Sequence, residues 1–85
     1  MSYHVPKRIV TKKKINGFDA EIEEFYDYVN VDIYKEGINV KRQWGFPSRL
    51  RALDYIDYWC NDKDNIRELN EEFERVKERK KKYGW

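Results

Sequence analysis

Cysteine, histidine and methionine each occur once in this 85-residue chain. A single cysteine, Cys60, has no partner for an internal disulfide, which fits a reducing setting, and the expected location is cytoplasmic. One histidine and one cysteine fall short of the four ligands of a structural zinc site. No apolar run approaches the roughly 18 residues needed to cross a bilayer. The opening segment MSYHVPKRIV lacks the apolar stretch of a secretory signal. There is no glycine-rich phosphate loop and no aspartate-rich loop. Nucleophilic catalysis also lacks its parts. His4 sits beside Pro6 in a segment, 1–6, expected to be flexible. Cys60 falls on an apolar helical stripe, where a cysteine acts as a small hydrophobe, and Ser48 is better placed as a helix cap. Glu23, Glu24 and Asp27, and the pair Asp54 and Asp57, are the carboxylate clusters that metal-assisted chemistry would need. Charge pairing and solvation account for them more simply. The expectation is a protein that is not an enzyme and needs no cofactor.

What is present is charge and aromatic surface. Charged residues make up 40% of the chain, apolar ones 40% and aromatics 16%, which is too apolar for a disordered chain. A chain of this length makes one domain, 1–85, with a thin core. The small net charge of +2 conceals blocks. Residues 1–17 carry five bases, Lys7, Arg8, Lys12, Lys13 and Lys14, and no acid. Residues 18–37 carry seven acids against one base, Lys35. Residues 38–53 carry four bases, Lys41, Arg42, Arg49 and Arg51, and no acid. An acidic strand lying between two basic neighbours is the simplest arrangement that pairs these blocks.

Turn chemistry sets the strand pairing. Asn16-Gly17 favours a type I′ turn, since both central residues need positive φ. A two-residue loop then pairs Ile15 with Phe18, Lys14 with Asp19, Lys13 with Ala20, Lys12 with Glu21 and Thr11 with Ile22. Ile9, Ile15, Phe18, Ala20 and Ile22 share the other face. A second turn at Glu36-Gly37 pairs Lys35 with Ile38. The register that follows sets Ile33 opposite Val40, Val29 opposite Trp44, Asp32 opposite Lys41 and Asn30 opposite Gln43. Between the turns the apolar parity changes: Phe18, Ala20 and Ile22 are even, whereas Val29, Val31 and Ile33 are odd. A flat strand would send the two groups to opposite faces. A β-bulge within Glu23–Asp27 would reconcile them in one long bent strand, and a break at Asp27 would do so by making four shorter strands. The favoured reading is an α+β fold: a three-stranded antiparallel meander over 7–45 with a long bent middle strand, followed by two helices packed on one face.

Ser48 caps the first helix, 48–60, where Leu50, Leu53, Ile56 and Cys60 form one stripe and Ala52, Tyr55 and Trp59 an adjacent one. Arg51, Asp54 and Tyr58 face away. The second helix, 62–83, carries Ile66, Leu69, Phe73, Val76 and Tyr83 as a narrow seam, supported by the i,i+4 pairs Glu71–Arg75 and Glu78–Lys82. At ~1.5 Å per residue this helix is about 30 Å long, so either it lies along the whole sheet or one end overhangs. A monomer, or a homodimer through the 62–83 helix, is the expected assembly.

The segments VNVDIYKEG and GFPSRLRALDYI resemble the hairpin-then-helix pattern of small stand-alone proteins encoded by phages and mobile elements. Some of those inhibit host defence, anti-CRISPR proteins among them. The resemblance covers about a third of the chain and transfers no functional residue. It implies a compact protein that works by occupying the surface of another.

Two helices cover only one face of a small sheet. The uncovered face is expected to carry Tyr28, Tyr34, Asp32 and Lys41, with Tyr26 dependent on the bulge. Tyrosine buries large area with two side-chain torsions and keeps a polar tip, which suits interfaces. The leading expectation is therefore a small intracellular module that binds a larger protein partner and acts by surface occlusion. The alternative is nucleic-acid binding through Lys12, Lys13 and Lys14 on a hairpin, with Arg49, Arg51 and the Lys80, Lys81 and Lys82 tail.

Overall fold

The first turn forms as its sequence demands. Asn16 and Gly17 both take positive φ, 49° and 88°, so strand β1 (Ile9–Ile15) returns directly as β2 (Phe18–Glu24). Their register runs from Ile15 opposite Phe18 to Ile9 opposite Glu24, and it includes all five pairings expected from the two-residue loop. The computed structural model describes residues 9–83, with side chains through Lys81. The segment 1–6 expected to be flexible lies outside the described residues.

Residues 18–35 do not make one bent strand. They form β2 and β3 (Val29–Lys35), joined by a four-residue turn, so the sheet has four strands in the order β1-β2-β3-β4 rather than three. The Phe25 amide donates to the Tyr28 carbonyl at 2.9 Å, and the two rings stack with centroids 4.7 Å apart. The turn reverses the parity without a bulge. Glu24 pairs with Val29, Ile22 with Val31 and Ala20 with Ile33, so every aliphatic on both strands faces one side.

The bulges lie in β4 (Ile38–Phe46) instead. Lys35 pairs with Ile38 as expected, but Tyr34 pairs with Asn39 while Ile33 pairs with Lys41. One extra residue is taken up there, and consecutive Val40 and Lys41 both turn to the covered side: Val40 is buried, and the Lys41 ammonium lies 4.1 Å from the centre of the Trp59 ring. Val31 then pairs with Gln43, and Val29 with Phe46, which takes up a second extra residue beside Gly45 at φ 88°. The expected pairings of Ile33 with Val40, Asp32 with Lys41, Asn30 with Gln43 and Val29 with Trp44 are replaced accordingly.

Helix α1 (Arg49–Asn61) begins at Ser48, whose hydroxyl accepts from the Arg51 amide at 3.3 Å. Its core line is Ala52, Ile56 and Cys60, spaced by four. That line turns Leu50 outward, 70% exposed, although the sequence pattern placed it on the apolar stripe. The far end of α1 is satisfied by side chains. Asn16 donates to the Cys60 carbonyl at 2.7 Å, and Asn65 donates to the Tyr58 carbonyl at 2.9 Å. Helix α2 (Lys63–Tyr83) is capped by Asp62, whose carboxylate accepts from the amides of Asp64 and Asn65 at 2.9 and 3.1 Å. Leu69 and Phe73 are buried, Ile66 and Val76 half-buried. From Lys77 to Lys81 every residue is exposed, more than one full turn, so this end of the helix projects past the core.

Both helices lie on the side of Phe18, Ala20, Ile22, Val29, Val31, Ile33 and Val40, with which they form one core. Lys35 closes it at the Glu36-Gly37 end. Its ammonium lies 5.8 Å from the centre of the Phe18 ring and 4.8 Å from that of Phe73, and it donates to Asn70 at 2.7 Å.

Candidate functional site

The register of the four strands builds rows across the face that no described helix covers. One row runs Lys12, Glu21, Asp32, Arg42, and the next runs Lys14, Asp19, Tyr34, Asn39. A third runs Val10, Glu23, Asn30 and ends at the irregularity between Gln43 and Phe46. Within these rows Asp32 accepts from two side chains. Arg42 Nε donates to it at 2.7 Å and Asn39 Nδ2 at 3.4 Å. The hydrogen bond that Arg42 donates to Asp32, and then the charge of Asp32, hold the Arg42 guanidinium above its ordinary range. The same guanidinium lies over the Trp44 ring, 4.8 Å from its centre. Trp44 is 53% exposed. Asp32, Arg42 and Trp44 thus form a chain of contacts on the open face.

Asn30 supports this group from below. It is only 5% exposed, and its carbonyl oxygen accepts from the Gly45 amide at 3.1 Å. A bulge leaves one backbone group outside the ladder, and here a strand neighbour takes it up. The Trp44-Gly45 backbone is held in place from within the sheet.

The expected site residues separate. Asp32 and Tyr34 are on the open face. Tyr26 and Tyr28 belong to the turn after β2, not to the sheet; both are exposed, and Tyr28 is stacked on Phe25. Lys41 is on the opposite side, over Trp59. Its place beside Asp32 is taken by Arg42 because the first bulge inverts the alternation. Trp44 and Arg42 are the residues that strict alternation missed. The bulge at Val40-Lys41 that places them there carries no signal in the composition; Gly45, a glycine inside a strand, marks only the second bulge, after Trp44.

The basic residues are dispersed. Lys12 and Lys14 are on the open face and Lys13 is on the other. Lys14 reaches Asp19 at 4.0 Å. Arg49 is engaged by Glu24 at 2.9 Å and by the Thr11 hydroxyl at 3.4 Å. Arg51 is exposed in the first turn of α1, and Lys80 and Lys81 are exposed on the projecting end of α2. The Lys82 side chain lies outside the described residues. Glu72, not the expected Glu71, pairs with Arg75, at 2.7 Å.

Among the described residues, no three of His, Cys, Asp or Glu stand close enough to hold a metal ion. Cys60 is buried, and burial followed by the charge of Asp57 pushes its thiol up to about 11, away from thiolate chemistry. No helix among the described residues is long and apolar enough to cross a membrane. Compared with protein-family models, curated proteins and solved structures, the chain matches none.

Proposed function

We propose that this protein is a non-enzymatic binding module that occludes the surface of a larger protein with its open sheet face. The observation that carries the reading is Trp44, half-exposed and fixed by Arg42, which Asp32 fixes in turn. Tryptophan and arginine are the residues most enriched where binding energy concentrates. Ordering them before contact reduces the entropy lost on association. Tyr34 and Asn39 flank the group, and Tyr26 and Tyr28 extend the aromatic surface from the turn. The resemblance of VNVDIYKEG and GFPSRLRALDYI to small stand-alone proteins of phages and mobile elements, some of which are inhibitors, is in keeping with this mode of action.

The test is affinity capture from the source cell with three baits matched for folding by thermal melting. Wild type is expected to retain a defined partner. The Trp44→Ser/Arg42→Ser variant should lose it, with a Kd weaker by at least tenfold, about 1.4 kcal/mol. Glu71→Ser, exposed on α2, should retain it. Equal capture by all three would remove the open face from the interaction.

A further inference from the structure

The sheet has two edges, and they are built differently. The β4 edge takes up two extra residues, carries Gly45 and has α2 packed against it. Such features stop another strand from pairing. The β1 edge has none of them. Its register with β2 is uninterrupted over seven residues, and no described strand lies on its outer side. The helices pack under β2, β3 and β4, apart from Arg49 reaching Thr11.

The direction of its backbone groups follows from the turn. A type I′ turn is closed by a hydrogen bond between the carbonyl of its first residue and the amide of its fourth. Ile15 and Phe18 are therefore a hydrogen-bonded pair, and alternation along an antiparallel ladder makes Lys13, Thr11 and Ile9 the other bonded positions. Val10, Lys12 and Lys14 consequently aim their amides and carbonyls outward.

Charge selects what can pair there. Lys12, Lys13 and Lys14 supply positive charge to both faces of the edge, and among the described residues Lys12 and Lys13 form no ion pair. A second copy of this chain would bring one lysine triplet against another, which is unfavourable. An acidic strand meets the opposite situation. Neighbouring strands lie about 4.8 Å apart and next-neighbours about 9.6 Å. The screening length at physiological salt is about 8 Å. From an added strand, the lysines of β1 are inside that length and the acids of β2, one strand further, are beyond it. Exposed Ile9 and Val10 then offer β-branched surface to the same strand.

We infer that the free edge of β1 takes an extended acidic segment of a partner protein as a fifth strand. This rests on the protein-binding reading and names the partner's chemistry; its residues are separate from Trp44 and Arg42. The probe is a blocked, fluorescent seven-residue peptide, three glutamates followed by alternating threonine and valine, titrated into the full chain. Binding is expected in the micromolar range at about 50 mM salt and should weaken as salt rises. On saturation, amide exchange should slow at Val10, Lys12 and Lys14, with little change at Thr11 and Lys13, which are already bonded. Val10→Pro keeps every lysine and every ladder bond to β2 but removes one outward amide, so it should weaken binding by at least about fivefold. Trp44→Ser/Arg42→Ser should bind the peptide as wild type does, so loss of the peptide and loss of the open-face partner are separate results. Three results would each overturn the inference: no binding up to about 1 mM peptide at that salt; binding without protection of the three amides; or an oligonucleotide of equal charge binding more tightly than the peptide and indifferent to Val10→Pro, which would assign the lysines to phosphate.

Discussion

Tyr55 shows how one side chain carries opposed contributions. Its ring packs between Phe46 and Trp59, with centroids at 5.1 and 6.4 Å, but its hydroxyl is buried with no hydrogen-bond partner among the described residues. Tyr55→Phe keeps the ring and removes a desolvated polar atom. The variant is expected to equal wild type or exceed it by up to about 1 kcal/mol, seen as a rise in urea midpoint at constant slope. A loss would mean that the hydroxyl is bonded after all. Cys60, on the same helix, gives a pH prediction. Burial, and next Asp57, raise its thiol from 9.0 to about 11, and burial also raises the Tyr55 phenol above 10.0. Between pH 9 and about 11 the unfolded chain releases a thiol proton that the folded chain still holds. The stability associated with Cys60 is therefore complete below pH 9 and declines as pH climbs through that window. Denaturation at a series of alkaline pH values should show the decline, and Cys60→Ala should flatten its lower part. A wild-type profile flat from pH 8 to 11 would contradict the burial of the thiol in the folded state.

At the level of elements, two turns and one strand explain what the sequence disclosed and what it hid. Asn16-Gly17 and Glu36-Gly37 announce themselves by residue type, and the first fixes the whole β1–β2 register. The turn at Phe25–Tyr28 does not, because it contains no glycine or proline and is closed by a backbone bond and a ring stack. The parity change was visible in the sequence; whether a bulge or a turn produced it was not, because both devices invert alternation. In β4 the outcome is reversed. Gly45 was a legible sign of a bulge, but the extra residue at Val40-Lys41 has no composition signal and alone decides that Arg42, not Lys41, meets Asp32. The candidate site was therefore legible as a face, and as residues only at Asp32 and Tyr34, before the bulges of β4 intervene. Asn30 tests how this strand is held. Asn30→Ala leaves the Gly45 amide without its acceptor and is expected to cost about 1–3 kcal/mol by chemical denaturation. The Trp44 fluorescence environment should change with it, since Trp44 adjoins the released amide. A neutral substitution would show that the bulge is stable without its side-chain acceptor.

Across the whole molecule, the charge blocks of the sequence become strands, with basic β1 beside acidic β2. The helices divide their labour differently from that pairing. The seam of α2 is spent inside the fold, since Leu69 and Phe73 are buried in the common core and Lys35 lies over the Phe73 ring. Little apolar surface is left on this helix to join a second copy. Sedimentation at about 100 μM is therefore expected to give a monomer, well below the roughly 1,200 Å² of buried surface that stable pairs need. The residues after Lys77 contribute no buried side chain among those described, so their removal isolates the projecting end from the core. Deleting residues 80–85 keeps Phe73, Val76 and the Lys77 contact with Phe73, and it is expected to change unfolding free energy by no more than about 0.5 kcal/mol. Phe73→Ala, by contrast, opens the core between α2 and Lys35 and should cost about 3–5 kcal/mol. If the deletion proved as costly as the core substitution, some part of residues 80–85 would have to be packed against the body of the protein. If it is neutral, the same truncated chain separates Lys80, Lys81 and Lys82 from the lysines of β1 in any charge-dependent binding, because it lacks the first three and keeps the β1 triplet.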